Sequence, residues 1–425
     1  MKRRKLLKNL TYVPFAGGLL GSGYLFRSET ASFSPANPAT FENPAIFERL
    51  GLKAFINCAG TITTMSGCIM QPEVLEAMRS VSQHYVLMED LERKVGERLA
   101  KLLECEAAMV TAGACSAYTL ATAACITGLD QDKIKLIPDY IPGQRPEVII
   151  QRSHRFGYDH SIRNTGAKLI EVEDPEEMQR AINRNTVMMM WYNAAGRHSV
   201  DMERFIAIGK QNRIPTLNCA SADVPPVDHF FQYIKMGFDL VAFSGGKGIM
   251  GPQSAGVLLG RKDLIEAALE NKMTVRNSAD TIGRGMKVNK EEIVGMLVAV
   301  EEYLKRDHDK EYQMWVSRIE RMKESAEKVP TVKGELRQPN GPANFFPYLN
   351  LTWDKNIVKL TTQQVQRALE EGDPSIYVIR PSANLARPEP PETPPNLRVY
   401  VMVMLEEEVD IVARRLKEVL EQGAS

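Results

Sequence analysis

One lysine in a glycine-rich turn is the residue of this chain best suited to covalent chemistry. The apolar, strand-like run 240–243 stops at Ser244, two glycines follow, and Lys247 comes next. A lysine at the end of a buried strand suits Schiff-base chemistry, because burial lowers the pKa of its amine and leaves it nucleophilic. The Ser244 hydroxyl, three residues earlier, is placed to bind a phosphate. The alternative is a tight surface hairpin whose lysine is merely solvated.

A second turn with the potential to bind phosphate lies earlier in the chain. The short apolar run 107–111 is followed by the small residues 112–117 and then by a helical pattern over 118–126. In such a strand–turn–helix arrangement, free backbone N–H groups and the helix dipole bind anions. Gly113 alone matches neither a Walker motif nor a dinucleotide fingerprint, so a plain strand-to-helix turn is the alternative.

Length and composition set the broad class of protein. A chain of 425 residues predicts one large and one smaller domain, because a single core stops growing below that size. The 53 basic and 53 acidic residues cancel, which argues against a dedicated nucleic-acid surface. The six cysteines are scattered without metal-ligand spacing, so we expect neither a metal site nor a disulfide framework.

Alternating strands and helices indicate how the two turns are positioned. Strand and helix patterns alternate between residues 107 and 260, which predicts a mainly parallel sheet covered by helices. Ligands of such sheets bind beyond the carboxyl ends of the strands. The turns expected at that edge contain 113–116, His154, Asn193, 219–223 and 244–247. After residue 261 the pattern changes to a compact α+β second domain.

The N-terminal residues predict an export signal. Arg3-Arg4-Lys5-Leu6-Leu7-Lys8 resembles the twin-arginine motif, and the apolar stretch 10–26 is too interrupted for a stable membrane span. We therefore expect a periplasmic protein. A retained signal anchor, or an accidental basic start on a cytoplasmic protein, are the alternatives. We predict a signal over 1–33, an N-terminal arm over 34–55, a large cofactor-binding domain over 56–285 and a small C-terminal domain over 286–425.

Together these features resemble the fold-type-I pyridoxal-phosphate enzymes, and within them the branch containing bacterial selenocysteine synthase and D-glucosaminate-6-phosphate ammonia-lyase. The most specific stretch is 239–256 around Lys247; the Asn57-Cys58-Ala59-Gly60 opening and the loop 283–288 also look like this branch. The resemblance covers about residues 56–420. It implies an α/β fold of the aspartate aminotransferase type, pyridoxal 5'-phosphate as cofactor, and a homodimer or larger assembly.

The resemblance also implies roles for individual residues. Lys247 would form the Schiff base and move the substrate's Cα proton, and Ser244 would bind the cofactor phosphate. Further phosphate contacts would come from Ala114, Cys115 and Ser116. His154 would lie over the pyridine ring, and Asn193 would contact the ring oxygen or the substrate. The candidates for substrate contacts are Thr61, Arg284, Lys287 and Arg380, and the last three could instead bind the cofactor phosphate of a partner subunit. Purely structural or solvated roles are the alternatives for His154, Asn193 and the substrate candidates.

One position departs from the family's pattern. Fold-type-I enzymes place an aspartate after the strand that here reads 214–218, and its carboxylate keeps the pyridine nitrogen protonated. Cys219 stands at that place, and Asp223 is the nearest acid. A neutral thiol supplies no formal charge. Three outcomes stay open: the ring works largely unprotonated, Asp223 substitutes, or activity is reduced or lost.

The predicted function is a lyase that acts on a small amino acid or amino sugar by Cα-proton abstraction and α,β-elimination. Selenium transfer on tRNA is less favoured, because the chain has no net charge, an export-like start and only a short arm where a tRNA-binding domain is needed. An aminotransferase or racemase would use the same lysine, and Cys219 also allows a catalytically impaired cofactor-binding relative. The expected partners are a small amino substrate and further copies of the chain, with no nucleic acid.

Overall fold

A computed structural model describes residues 41–139, 141–143, 145–272, 279–379 and 395–424 of the chain. Its strands are β1 Ile56–Cys58, β2 Ala107–Thr111, β3 Glu147–Gln151, β4 Lys168–Val172, β5 Thr186–Tyr192, β6 Thr216–Cys219, β7 Leu240–Ser244, β8 Gly256–Gly260, β9 Lys333–Arg337, β10 Tyr348–Thr352, β11 Ile376–Val378 and β12 Asn396–Tyr400. Its α-helices are α1 Ala45–Arg49, α2 Pro72–Ser82, α3 Met88–Leu102, α4 Gly113–Thr127, α5 Gln131–Leu136, α6 His160–Arg163, α7 Pro175–Ala181, α8 Met202–Asn212, α9 His229–Met236, α10 Lys262–Asn271, α11 Lys290–Lys305, α12 His308–Ala326, α13 Thr362–Glu370 and α14 Glu408–Ala424.

A seven-stranded sheet in the order β2-β8-β7-β6-β5-β3-β4 carries the site. Strands β3 to β7 pair in parallel, whereas β8 runs antiparallel to both β2 and β7. Gly256, at the start of β8, therefore lies opposite both Thr111 and Ser244, the last residues of β2 and β7. The predicted mainly parallel α/β sheet is confirmed, and the two predicted turns open on the same edge.

The two faces of this sheet have separate apolar cores, because successive strand residues point to opposite faces. On one face, Met190, Leu217 and Cys219 pack with the buried residues of α4. Helix α4 is rich in small residues and almost wholly buried, which lets its axis lie close to the strands. On the other face, Trp191 and Phe243 pack within a second core that includes residues of α3, α8 and α11.

A third core lies in the last third of the chain. It contains residues of α12, α13 and α14 together with the antiparallel sheet β12-β10-β9. Strand β1 pairs in parallel with β11, so that Ile56 and Cys58 belong to this core. The small residues of 56–61 predict a loop or a substrate site, whereas the structure forms the short strand β1 over the first three of them. The helical pattern over 290–329 predicts one long helix with a break near Arg306-Asp307-His308, and the structure confirms the break between α11 and α12.

No helix within the described ranges has the length and apolar character needed to cross a membrane.

Candidate active site

Lys247 lies at the carboxyl edge of the sheet, in the loop that joins β7 to β8. The loop is closed by backbone hydrogen bonds from Gly245 to Ala255 (2.8 Å) and from Gly251 to Gly245 (2.9 Å). A Cβ atom on Gly248 would lie 2.0 Å from the carbonyl oxygen of Val224, so only glycine allows the loop to pack against the turn that follows β6. The glycine-rich sequence therefore serves close packing around a half-buried lysine.

The amine of Lys247 is largely removed from solvent. Its Nζ donates a hydrogen bond to Ser221 Oγ at 3.5 Å. Burial lowers the pKa of this amine, and the nearby Cys219, Asp223 and Cys115 offset only part of the effect. A lowered pKa increases the fraction of neutral amine, which is the form that attacks a carbonyl and accepts a proton.

The first turn of α4 lies beside this loop and has the features of an anion site. The Cβ atom that any other residue would carry at position 256 lies 2.8 Å from Gly113 C and 3.1 Å from Ala114 N, so the glycine lets the helix start approach the sheet. Ser116 Oγ is buried and has no hydrogen-bond partner among the described residues. The free N–H groups of a helix start and an unpaired hydroxyl are suitable ligands for a phosphate.

Cys219 ends β6 on the face that packs against α4. The thiol is 2% exposed and lies 2.7 Å from the Tyr118 hydroxyl and 3.8 Å from Ser221 Oγ. Burial raises the pKa of both the Cys219 thiol and the Tyr118 phenol. The pair is therefore neutral at physiological pH, and it supplies hydrogen-bonding groups without a formal charge.

Asp223 is engaged in a separate buried network. Its side chain is 1% exposed, and Oδ2 accepts hydrogen bonds from Asn193 Nδ2 (2.6 Å) and the Tyr233 hydroxyl (2.9 Å). Burial raises the pKa of this carboxyl to about 6, although both hydrogen bonds lower it. Asn193 in turn accepts a hydrogen bond from Trp191 Nε1 at 2.5 Å. Asn193 and Asp223 therefore lie together, and their side chains form hydrogen bonds with each other and with Trp191 and Tyr233.

His154 is fully buried beneath the end of β5. Its Nδ1 accepts a hydrogen bond from the Tyr192 backbone (3.1 Å), so the ring proton is on Nε2, which donates to His198 Nδ1 at 2.8 Å. Burial lowers the pKa of His154 to about 3, so the ring is neutral. The partly exposed aromatic group in the same turn is Phe156, stacked on Tyr192 at 4.2 Å. The sequence-based hypothesis did not include Phe156.

Of the predicted substrate residues, Thr61 lies near the site, whereas Arg284 and Lys287 have no contact with it among the described residues. The Thr61 hydroxyl donates to Asn344 Oδ1 (3.1 Å), and the Asn344 backbone donates to the carbonyl of Ala222 (2.6 Å), beside Ser221. Thr61 therefore lies near the site. Arg284 and Lys287 are exposed at the turn 282–286, and no contact within the described ranges joins them to Lys247. Arg380 lies outside the described residues.

Side chains that the sequence analysis missed complete the site: Tyr118, Ser221, Tyr233 and Asn344. Ser221 follows Cys219 by two residues inside the turn 219–223, so its proximity was detectable from sequence. Among the residues that the structure describes, no group of three or more His, Cys, Asp or Glu side chains is placed to hold a metal ion. All six cysteines are free thiols.

A lysine with a lowered pKa at the carboxyl edge of this sheet, beside a helix start with an unpaired hydroxyl, matches the site expected of a pyridoxal-phosphate enzyme of the aspartate aminotransferase fold. The family model for L-seryl-tRNA selenium transferase matches residues 55–339. The chain belongs to that family. The unpaired Ser116 hydroxyl, the close approach at Gly256 and the Lys247 amine fit the phosphate and the carbonyl of pyridoxal 5'-phosphate, which is the cofactor that family and fold identify.

Known proteins similar to this chain include enzymes with different reactions. A 5'-C-glycyluridine monooxygenase-decarboxylase of a Streptomyces species is 26% identical over 347 residues, covering 78% of this chain and 83% of the relative. A D-glucosaminate-6-phosphate ammonia lyase of Salmonella typhimurium is 25% identical over 346 residues, covering 79% and 89%. A solved structure of D-glucosaminate-6-phosphate ammonia-lyase has the same fold, with a TM-score of 0.77, 24% identity, and 90% and 100% coverage.

Proposed function

We propose that this chain is a pyridoxal-phosphate-dependent lyase that removes the Cα proton of a small amino acid or amino sugar and expels a β-leaving group. The observation that carries the proposal is the Lys247 amine, half-buried with a lowered pKa at the edge where the turns after β2, β6 and β7 converge. The similarity to an ammonia lyase over 89% of that enzyme's length supports a lyase.

Each part of the site has a distinct task in this proposal. Bound pyridoxal 5'-phosphate withdraws electrons from the substrate's α-carbon and so weakens the Cα–H bond. The start of α4, with Ser116, and Ser244 hold the phosphate. Lys247 would bind the cofactor covalently. Once the substrate has displaced this bond, the free Lys247 amine would accept the Cα proton. The hydrogen bond from Lys247 Nζ to Ser221 Oγ, at 3.5 Å, holds the amine at the strand edge.

We further propose that Cys219 leaves the site without the usual carboxylate. The thiol and its partner Tyr118 are neutral, and the Asp223 carboxylate is already bound by Asn193 and Tyr233. Neither group supplies a free negative charge. This environment favours a weaker electron sink, which is sufficient for elimination of a good leaving group.

The test is a screen of amino acids and amino sugars, free and phosphorylated, with purified protein. Release of ammonia and a keto acid without an added amino acceptor, lost in Lys247→Ala, is the expected result. A requirement for a keto-acid acceptor, inversion at Cα without ammonia release, or oxygen uptake with release of carbon dioxide would contradict the lyase proposal. The same assay with seryl-tRNA and a selenium donor tests the transferase alternative, which the zero net charge does not favour. A protein that binds the cofactor without any turnover would indicate the impaired relative.

We propose that the active protein is a homodimer or a larger homo-oligomer. Helix α1 has no buried residue, and Phe47 on it is exposed. The consecutive residues Tyr85, Val86 and Leu87 are exposed as well, and solvent-facing apolar runs of this kind mark contact surfaces. Light scattering of the purified protein is expected to give at least twice the chain mass of 47.6 kDa. A monomer that retains full activity would contradict the proposal.

Export by the twin-arginine route remains a separate proposal, supported by Arg3 and Arg4 followed by apolar residues. The chain with both arginines changed to lysine is expected to stay in the cytoplasmic fraction, while the unchanged chain reaches the periplasm. Equal distribution of the two proteins would contradict it.

A further inference from the structure

Ser221 is the hydrogen-bond partner of the Lys247 amine, and the structure shows no other within the described ranges. Its Oγ lies 3.5 Å from Nζ. Among those same residues Lys247 forms no ion pair. The amine is therefore positioned by a neutral hydroxyl.

The backbone around Ser221 is fixed on both sides. The Ala220 N–H donates to the carbonyl of Ala242 (3.1 Å), and the Ser244 N–H donates to the carbonyl of Ser221 (3.2 Å). The Asp223 N–H donates to the carbonyl of Ala220 (3.2 Å), which closes the turn. These bonds tie the serine to β7, the strand that leads directly to Lys247, so the distance between hydroxyl and amine is set by the sheet.

The neighbours of the Ser221 hydroxyl leave it available to the amine. On its other side it meets the Cys219 thiol at 3.8 Å, and that thiol is in contact with the Tyr118 hydroxyl. Both neighbours are neutral, because burial raises the pKa of the Cys219 thiol and of the Tyr118 phenol. The Asp223 carboxylate, which would compete for the ammonium form of the lysine, is bound by Asn193 and Tyr233 instead.

We propose that Ser221 is a positioning residue that holds the Lys247 amine at the carboxyl end of β6 whenever that amine is not bonded to the cofactor. The hydroxyl accepts an N–H of the amine, and with the neutral amine it can also donate to the nitrogen lone pair. It therefore restricts a side chain with four rotatable bonds before cofactor capture and before proton transfer. This inference rests on the proposed role of Lys247 and goes beyond it by naming the residue that orients the amine.

The experiment compares Ser221→Ala with Ser221→Thr, which keeps the hydroxyl, and with the control Ser153→Ala. Ser153 lies in the turn after β3, and its Oγ has no partner among the described residues. Cofactor-free protein of each variant is mixed with pyridoxal 5'-phosphate. The rate of covalent capture is followed by absorbance, and the final stoichiometry is measured by mass spectrometry after borohydride reduction. With loaded protein, kcat and KM are measured for the substrate found in the screen.

For Ser221→Ala we expect capture about tenfold slower and kcat about tenfold lower with KM unchanged, since one neutral hydrogen bond corresponds to about that factor. Ser221→Thr is expected to restore both rates, and Ser153→Ala to leave them at the wild-type value. Capture by Ser221→Ala at the wild-type rate would overturn the inference. If Ser221→Ala does not fold, Ser221→Cys replaces it, with slower capture as the supporting result and a wild-type rate as the overturning one. Failure of the wild-type chain to capture cofactor on Lys247 would instead overturn the proposed function, and with it this inference.

Discussion

Replacing Asp223 by asparagine removes a buried carboxyl group near Cys219 while keeping its shape. The Asp223 side chain is 1% exposed, and its Oδ2 accepts two hydrogen bonds, from Asn193 and Tyr233. An asparagine Oδ1 can accept the same two bonds. The substitution therefore changes the charge of the buried group and leaves its hydrogen-bonded neighbours in place.

The raised pKa of Asp223 sets the size of the effect. Burial moves the pKa of this carboxyl from 3.8 to about 6. The folded chain therefore binds this proton more tightly than the unfolded chain, and the free energy of unfolding falls as the pH rises between these two values. Two pKa units correspond to about 3 kcal/mol. Asp223→Asn should thus equal the wild type in stability near pH 4 and exceed it by up to about 3 kcal/mol at pH 7.

The assay is equilibrium urea unfolding of the cofactor-free wild type and variant, at about pH 4 and pH 7. The quantity compared is the difference in unfolding free energy between the two proteins at each pH, so that other titrating groups cancel. Asp228→Asn, which removes an exposed carboxylate five residues further on, controls for the loss of one negative charge. A difference that is the same at both pH values, or a wild type more stable than the variant at pH 7, would refute the reasoning.

The same comparison with loaded protein decides whether Asp223 substitutes for the missing aspartate. A carboxylate that faces a protonated ring nitrogen is stabilised in its charged form, so its pKa falls and the advantage of asparagine at pH 7 disappears. Because Asn193 and Tyr233 already bind this carboxylate, we expect the advantage to persist after loading. Its disappearance would show that Asp223 does substitute.

Three further substitutions test other parts of the account. Cys219→Asp places a buried carboxylate beside Tyr118, so we expect a lower thermal midpoint of the cofactor-free protein. In the loaded protein we expect an altered cofactor spectrum and turnover raised about tenfold or more. No change in the spectrum or in turnover would favour a non-catalytic protein. Arg306 donates hydrogen bonds to the carbonyls of Gly248 (3.3 Å) and Ile249 (3.2 Å), the two residues after Lys247. Arg306→Ala should therefore weaken cofactor binding about tenfold in a titration, and Arg306→Lys should not restore it. An unchanged affinity would show that these bonds do not support the Lys247 loop. Lys272 forms a buried ion pair with Glu92, so Lys272→Met should lower the free energy of unfolding in urea by about 3–5 kcal/mol. Adding Glu92→Leu should restore most of that loss. An equal loss in the single and the double variant would contradict an unpaired buried charge as the cause.

The sequence predicted the framework of the site because its signals are local. The strand-to-turn junctions after β2 and β7 each show an apolar run that stops at small residues, and parallel strands end at a common edge. The helix break near Arg306 is likewise marked by nearby residues. Asp174 followed by Pro175 predicts the start of α7 in the same local way, and the Asp174 side chain does cap that helix. Lys247 could therefore be placed at the edge of the sheet from sequence.

The side-chain networks were not predictable in this way. Cys219 and Asp223 are four residues apart, yet one contacts Tyr118 on α4 and the other contacts Asn193 and Tyr233. The direction of a side chain in a turn depends on backbone angles that residue types alone do not fix.

Contacts between distant parts of the chain were missed for a related reason. Strand β1 has three residues and pairs with β11 far along the sequence, so no local periodicity marks it. The role of His154 depends in the same way on His198, a residue in a different turn.

The most direct test of the central claim is the location of the cofactor. Purified protein is reduced with borohydride, digested and analysed by mass spectrometry, with Lys247→Ala as the control. We expect one reduced pyridoxal 5'-phosphate group per chain, on Lys247, together with a visible absorbance band that the variant lacks. A label on another lysine, or no label on a folded and cofactor-saturated wild-type chain, would contradict it.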